Sequence, residues 1–209
     1  NNTTGTSNVA SGWGALRANT TASNNTAIGT QALYANTTGA YNTASGYGAL
    51  HGNTTASYNT AVGNTALYTD TLGARNVAVG HEALASQNFT SATNSHNTAV
   101  GMSAGRLVTT GINNTFVGGI AGTANTTGNS NTAIGMNSLA ANTTAADNTA
   151  LGVSSLAANT TGASNTGLGR ATLSANTTGA NNTAAGRSAL LSNTTGGQNT
   201  ASGFKAMFS

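Results

Sequence analysis

A single 17-residue unit, repeated along almost the whole length, dictates what this chain can fold into. An Asn-x-Ala-x-Gly-like pentapeptide begins at Asn8, Asn25, Asn42, Asn59, Asn76, Asn97, Asn114, Asn131, Asn148, Asn165, Asn182 and Asn199, in steps of 17 residues except for one of 21 between Asn76 and Asn97. A fixed period of this size marks a repeat architecture, in which no unit buries its apolar face alone and stacked neighbours share one continuous core. The averaged unit reads N-T-A-(I/V/L/S)-G-x-x-A-L-x-x-N-T-T-G-x-x. Residues 1–209 are therefore read as one repeat domain, although length alone would suggest one or two globules.

Each position of the unit has a physical reading. Position 1 is Asn and position 5 is Gly in all twelve copies. A glycine recurring at one site predicts a bend with positive φ, or a backbone approach too close for a Cβ. Position 3 is Ala except at Phe116 and Gly167, which predicts a tight space. Position 4 is mostly aliphatic, with Ser11, Ser45, Ala185 and Ser202 as exceptions. Position 9 is Leu or Met except at Gly105 and Gly122, and Leu107 and Val108 stand near the first of these gaps as candidate replacements.

Asn-Thr-Thr-Gly is turn and strand vocabulary, and Gly costs a helix about 1 kcal/mol each time it occurs. The expected fold is all-β: a parallel β-solenoid of twelve 17-residue coils, with short β segments at N-T-A-V and around A-L and turns at Gly and N-T-T-G. Coils stacked at a strand spacing of about 4.8 Å predict a rod roughly 55–60 Å long. Stacking superimposes like residues. Position 1 then forms either an amide ladder from coil to coil or a local turn at the start of each coil. Thr at positions 2, 13 and 14 forms further columns suited to β geometry.

The composition removes several function classes. Six basic and three acidic residues, no Pro and no Cys leave neither the high charge of a disordered chain nor a disulfide or thiolate framework. Arg17, Arg75, Arg106, Arg170, Arg187 and Lys205 are scattered, whereas nucleic-acid binding needs clustered cations, so no nucleic-acid partner is expected. No apolar run approaches the roughly 20 residues of a membrane helix, so membrane insertion of this segment is not expected. A targeting leader, if the protein is exported, is expected outside these residues. Asp70 and Asp147 are more than four coils apart, too far for paired-carboxylate catalysis. His81, Glu82 and His96 fall in neighbouring coils, but neighbours in a strand point to opposite faces. No phosphate-binding loop is present. The expectation is a non-enzyme with no catalytic, metal or cofactor residues.

The run N-T-A-I-G-T-Q-A-L-Y-A-N-T-T-G, Asn25 to Gly39, resembles the repeat of phage-type tail-fibre proteins. It is also similar to the S-V-A-I-G-like repeats in head domains of trimeric autotransporter adhesins, whose unit is shorter. The resemblance covers nearly the whole chain. It implies a left-handed β-roll, three chains side by side, and a place on a cell, virion or other extracellular surface. It transfers no binding residue, because the matching motif is scaffold. The function expected is a structural or adhesive shaft. The alternatives are a carbohydrate- or matrix-binding adhesin head and an ice-binding solenoid.

A thin coil with an Ala column on one strand and a Leu column on the other has two apolar surfaces, one inside and one needing a neighbour. A homotrimer covers the second, in line with the symmetry of most homo-oligomers. A monomer with the Ala column facing inwards is the alternative. Neither end carries a capping unit, so the chain is read as a segment of a longer fibre or as a copy that stacks end to end.

The four extra residues fall within 85–96, where a bulging loop is the usual place for a solenoid to bind. Phe89 at its centre is either an exposed contact residue or folds over the coil lacking Leu at Gly105. Tyr34 and Tyr68 share position 10, and Tyr41 and Tyr58 share position 17, so these rings are candidates for stacking on host or surface sugars. They equally suit covering coil edges. Asn-x-Thr sequons at Asn19, Asn36, Asn53, Asn125, Asn142, Asn159, Asn176 and Asn193 are candidate glycosylation sites, and equally good turn chemistry.

Overall fold

The structure, a computed structural model, describes residues 2–208 as a parallel β-solenoid with no helix among them. Its fourteen strands are β1 (Val9–Ser11), β2 (Thr26–Ile28), β3 (Thr43–Ser45), β4 (Thr60–Val62), β5 (Gly73–Ala74), β6 (Val77–Val79), β7 (Thr93–Asn94), β8 (Thr98–Val100), β9 (Thr115–Val117), β10 (Thr132–Ile134), β11 (Thr149–Leu151), β12 (Thr166–Leu168), β13 (Thr183–Ala185) and β14 (Thr200–Ser202). All but β5 and β7 form one twelve-stranded sheet in chain order. Eleven parallel steps at about 4.8 Å make it roughly 53 Å long. Register joins like to like: Thr26 pairs with Thr43, Ala27 with Ala44 and Ile28 with Ser45.

Alternation along each strand sends position 3 inwards and positions 2 and 4 outwards. Ala27, Ala44, Ala61, Ala78 and Ala99 are all fully buried. Opposite them lies the leucine column, with Leu33, Leu50, Leu67, Leu84, Leu139, Leu156 and Leu173 at 0% exposure. Both columns therefore share one interior. The two-sided apolar coil expected from the sequence is not found, and the outward apolar column is position 4 instead.

The A-L segment is a turn rather than a strand. Ala32 and Leu33 are consecutive yet both fully buried, which a strand forbids because successive side chains alternate. The chain resolves this with left-handed backbone at Gln31 (φ 61°) and Leu33 (φ 50°), repeated at Leu50, Leu67, Leu84 and onward. Such a conformation costs an L-residue about 1–2 kcal/mol, offset here by burial of a whole leucine side chain. Stacked turns still bond coil to coil, as from the Leu33 amide N to the Ala49 carbonyl at 3.0 Å.

The position 5 glycine is required twice over. Gly29 has φ 123°, and a Cβ there would stand 2.6 Å from the Gly46 carbonyl oxygen of the next coil. Phe116 at position 3 and the two glycines at position 9 are one feature. Phe116, fully buried, takes the place of an Ala, and its ring occupies the space left by Gly105 and Gly122. A Cβ at Gly105 would lie 2.7 Å from that ring. Of the two replacements suggested by sequence, Leu107 is 37% exposed and Val108 is buried away from the gap, at position 12. The gap is filled from the adjacent coil.

Most of the remaining interior is made of amides, with a few buried hydroxyls such as Ser138, Ser155 and Thr172. At position 1, Asn42 Oδ1 accepts the backbone N–H of Asn59 in the next coil (2.9 Å), and Asn42 Nδ2 donates across its own coil to the Ala56 carbonyl (2.9 Å). At position 12, Asn53 Nδ2 donates to the same Ala56 carbonyl (3.0 Å) and to Asn36 Oδ1 in the coil before (2.8 Å). Two asparagines thus clamp one carbonyl in coil after coil, as Asn131 and Asn142 do at Ala145 and Asn165 and Asn176 at Gly179. Ladder and turn both occur, and the side chain-to-side chain ladder belongs chiefly to position 12. The Thr hydroxyls of position 13 add a further tie, as from Thr37 to the Thr54 carbonyl at 3.0 Å.

The insertion leaves the main sheet untouched. Thr71 bonds Asn88 with a spacing of 17 residues, while Ser95 bonds Ala74 with a spacing of 21. The four extra residues are absorbed between those points, where the short pair β5–β7 joins Gly73 to Thr93 and Ala74 to Asn94 at a spacing of 20.

Candidate functional site

The aromatic side chains sort into columns because each repeat sets its ring above the one before. Tyr34, His51 and Tyr68 stack with centroids 5.1 and 4.8 Å apart, and Arg17 covers the other face of Tyr34 at 5.2 Å while also meeting its hydroxyl. Tyr41 and Tyr58 stack at 5.2 Å and 2°, with Arg75 over Tyr58 at 5.6 Å. Burial holds His51 below the ordinary histidine value, so the imidazole between two tyrosines favours its neutral form. Tyr34 and Tyr58 thus have both ring faces covered, and Tyr41 and Tyr68 one each. Tyr41 and Tyr58 remain 54% and 56% exposed.

Phe89 is not an exposed contact residue. It is 6% exposed and its ring lies against Gly73, where a Cβ would stand 2.8 Å from it. It closes the corner beside Asp70 rather than the coil of Gly105. A shallow groove runs beside the insertion, lined by Tyr58, Arg75, Thr93 and Asn94, and Arg75 Nε donates to Asn94 Oδ1 at 3.2 Å.

Beneath the insertion the amide ladder changes composition, with Asp70, Gln87 and Val108 at position 12. Asp70, 1% exposed, accepts from Gln87 Nε2 at 2.6 Å and from the Gly73 backbone N–H at 3.0 Å. Gln87 Oε1 in turn accepts from Asn97 Nδ2 at 2.8 Å. Burial raises the Asp70 carboxyl above its ordinary value, against the lowering effect of the Gln87 and backbone hydrogen bonds. A carboxylate here also has no N–H to give to Asn53, as an asparagine would. Stability should thus fall as pH rises from the ordinary carboxylate value through the raised folded one, and stay lower above it. Asp70→Asn is expected to remove that fall and to add about 1 kcal/mol at neutral pH by restoring the amide link. Denaturant titrations of both proteins across the acid range check this; parallel pH profiles would refute it.

The sequon asparagines lie inside the rod. Asn19, Asn36, Asn53, Asn125, Asn142, Asn159 and Asn176 are at most 2% exposed, and Asn193 Nδ2 is bonded to Asn176 Oδ1 and the Gly196 carbonyl. An Nδ2 so engaged, in a column with no room for a sugar, is not a glycan attachment point in the folded protein. The turn chemistry is the correct reading.

His81 and Glu82 are closer than strand alternation predicts, because they lie in a turn: His81 Nδ1 is 4.0 Å and Arg106 Nε 3.9 Å from Glu82 Oε2. All three are solvent-accessible. Among the described residues no three His, Asp or Glu side chains converge as a metal site would require.

The outer face of the twelve-stranded sheet is formed by positions 2 and 4. Thr26, Thr60, Thr98 and Thr132 stand in its position 2 column. Beside them, Ile28 and Leu151 are 47% exposed, and Val62, Val100, Ile134 and Leu168 between 36% and 39%. Compared with known proteins, the chain matches no family model, no curated protein and no solved structure.

Proposed function

We propose that the chain is a shaft segment of an extracellular or virion-surface fibre: a non-enzymatic rod of twelve left-handed coils that assembles side by side as a homotrimer. The observation carrying this reading is the continuous register of identical columns, in which each coil templates the next through its backbone and its asparagines. Such an object is stiff along its axis and gains length simply by adding coils, as a spacer must. The resemblance of Asn25–Gly39 to tail-fibre repeats points the same way. Sugar recognition has less support, since both ring faces of Tyr34 and Tyr58 are covered by neighbouring side chains and Phe89 is buried.

Sedimentation and electron microscopy of the purified chain test the proposal. The expected particle is elongated, with a body about 53 Å long and the mass of three chains. A compact particle would end the shaft reading, and a monomeric rod would end the trimer.

A further inference from the structure

We infer that the outer face of the twelve-stranded sheet, the Thr column of position 2 beside the aliphatic column of position 4, is the surface on which copies of this chain meet. The inference rests on the proposed side-by-side assembly and names its contact face. Ile28, Val62, Val100, Ile134, Leu151 and Leu168 are between 36% and 47% exposed along the outer face of the sheet. Contiguous exposed apolar surface of this kind marks an interaction site, whereas scattered exposed apolar residues do not.

Three observations choose a second copy as the occupant. First, none of the nine charged residues stands at position 2 or position 4, so the strip carries nothing to complement a charged partner and nothing to repel its own image. Second, its columns repeat at one strand spacing, with Thr at ten of the twelve strands and a large aliphatic residue at eight, so a partner must offer the same pitch. Another copy does so by construction, with Thr hydroxyls and aliphatic groups repeating in step. Third, the area suffices. Two columns, each about 7 Å wide, over eleven steps of about 4.8 Å give a strip on the order of 700 Å², close to the roughly 800 Å² that each partner contributes to a stable interface.

The test uses Val100→Lys with Ile134→Lys, which places charge on the strip without touching the core. Thr38→Lys with Thr161→Lys, on exposed turn positions, is the control. Sedimentation equilibrium should give an assembly for the wild type and the control, and a mass reduced to one chain for the strip variant. Circular dichroism should be unchanged throughout. If the lysine pair impairs folding, Val100→Thr with Ile134→Thr keeps β-branching and should weaken association at least tenfold. An assembled strip variant would overturn the face while leaving the assembly intact. A monomeric wild type would overturn both, and a monomer with thermal hysteresis lost in the strip variant would assign the face to ice.

Discussion

Phe116→Ala is expected to lower the stability of the middle of the rod by about 3–5 kcal/mol, the usual cost of emptying a buried aromatic site. The surroundings make collapse difficult. The ring fills space that the coils carrying Gly105 and Gly122 leave by lacking the position 9 leucine. Those two glycines have φ of 57° and 56°, the conformation adopted by Leu50 and Leu67 at the same position. Adding Gly105→Leu and Gly122→Leu to Phe116→Ala should therefore restore the ordinary coil and recover most of the loss. Gly122→Leu alone should destabilise, because its side chain would enter the ring. Thermal unfolding of the four proteins decides it, and additive effects across the set would contradict a shared cavity.

Asn131→Asp is expected to cost about 3 kcal/mol or more at neutral pH, although it changes almost no volume. Asn131 is fully buried; its Oδ1 accepts the Asn148 N–H at 3.1 Å and its Nδ2 donates to the Ala145 carbonyl at 2.9 Å. A carboxylate keeps the first bond and turns the second into two facing oxygens without a proton. Burial favours the neutral acid, so the deficit should be present above the raised folded value and shrink as pH falls through it. Melting curves at neutral and acid pH check the sign. Equal stability at neutral pH would mean that the asparagines serve only as local turn formers. Asp70 is the natural counterpart: the chain carries one acid in these columns, where Gln87 supplies an amide to meet it.

Much of this was legible without coordinates. The period, the parallel stacking, the presence of Ala and Leu columns and the bend at position 5 follow from which residues recur; that both columns face inwards does not. The turn at Leu33 was legible in principle too, since a small and a large apolar residue side by side in every unit cannot both enter a core from one strand. Three further features were not legible. Sequons and buried clamps are the same letters, and only the path of the turn sends Asn36 inwards. Tyrosines one coil apart are read as exposed rings until stacking shows that their faces meet. The swap of Phe116 for two leucines joins residues in different coils, so it emerges only once coil neighbours are known.

By itself, then, the chain of letters determined the coil: its length, its β character and the kinds of side chain that superimpose, because a short period under stacking leaves few alternatives. Tertiary structure alone decided which way each column faces. Facing depends on the left-handed turns at positions 7 and 9, and their backbone angles are selected by burial of the whole column rather than by any preference of Gln31 or Leu33.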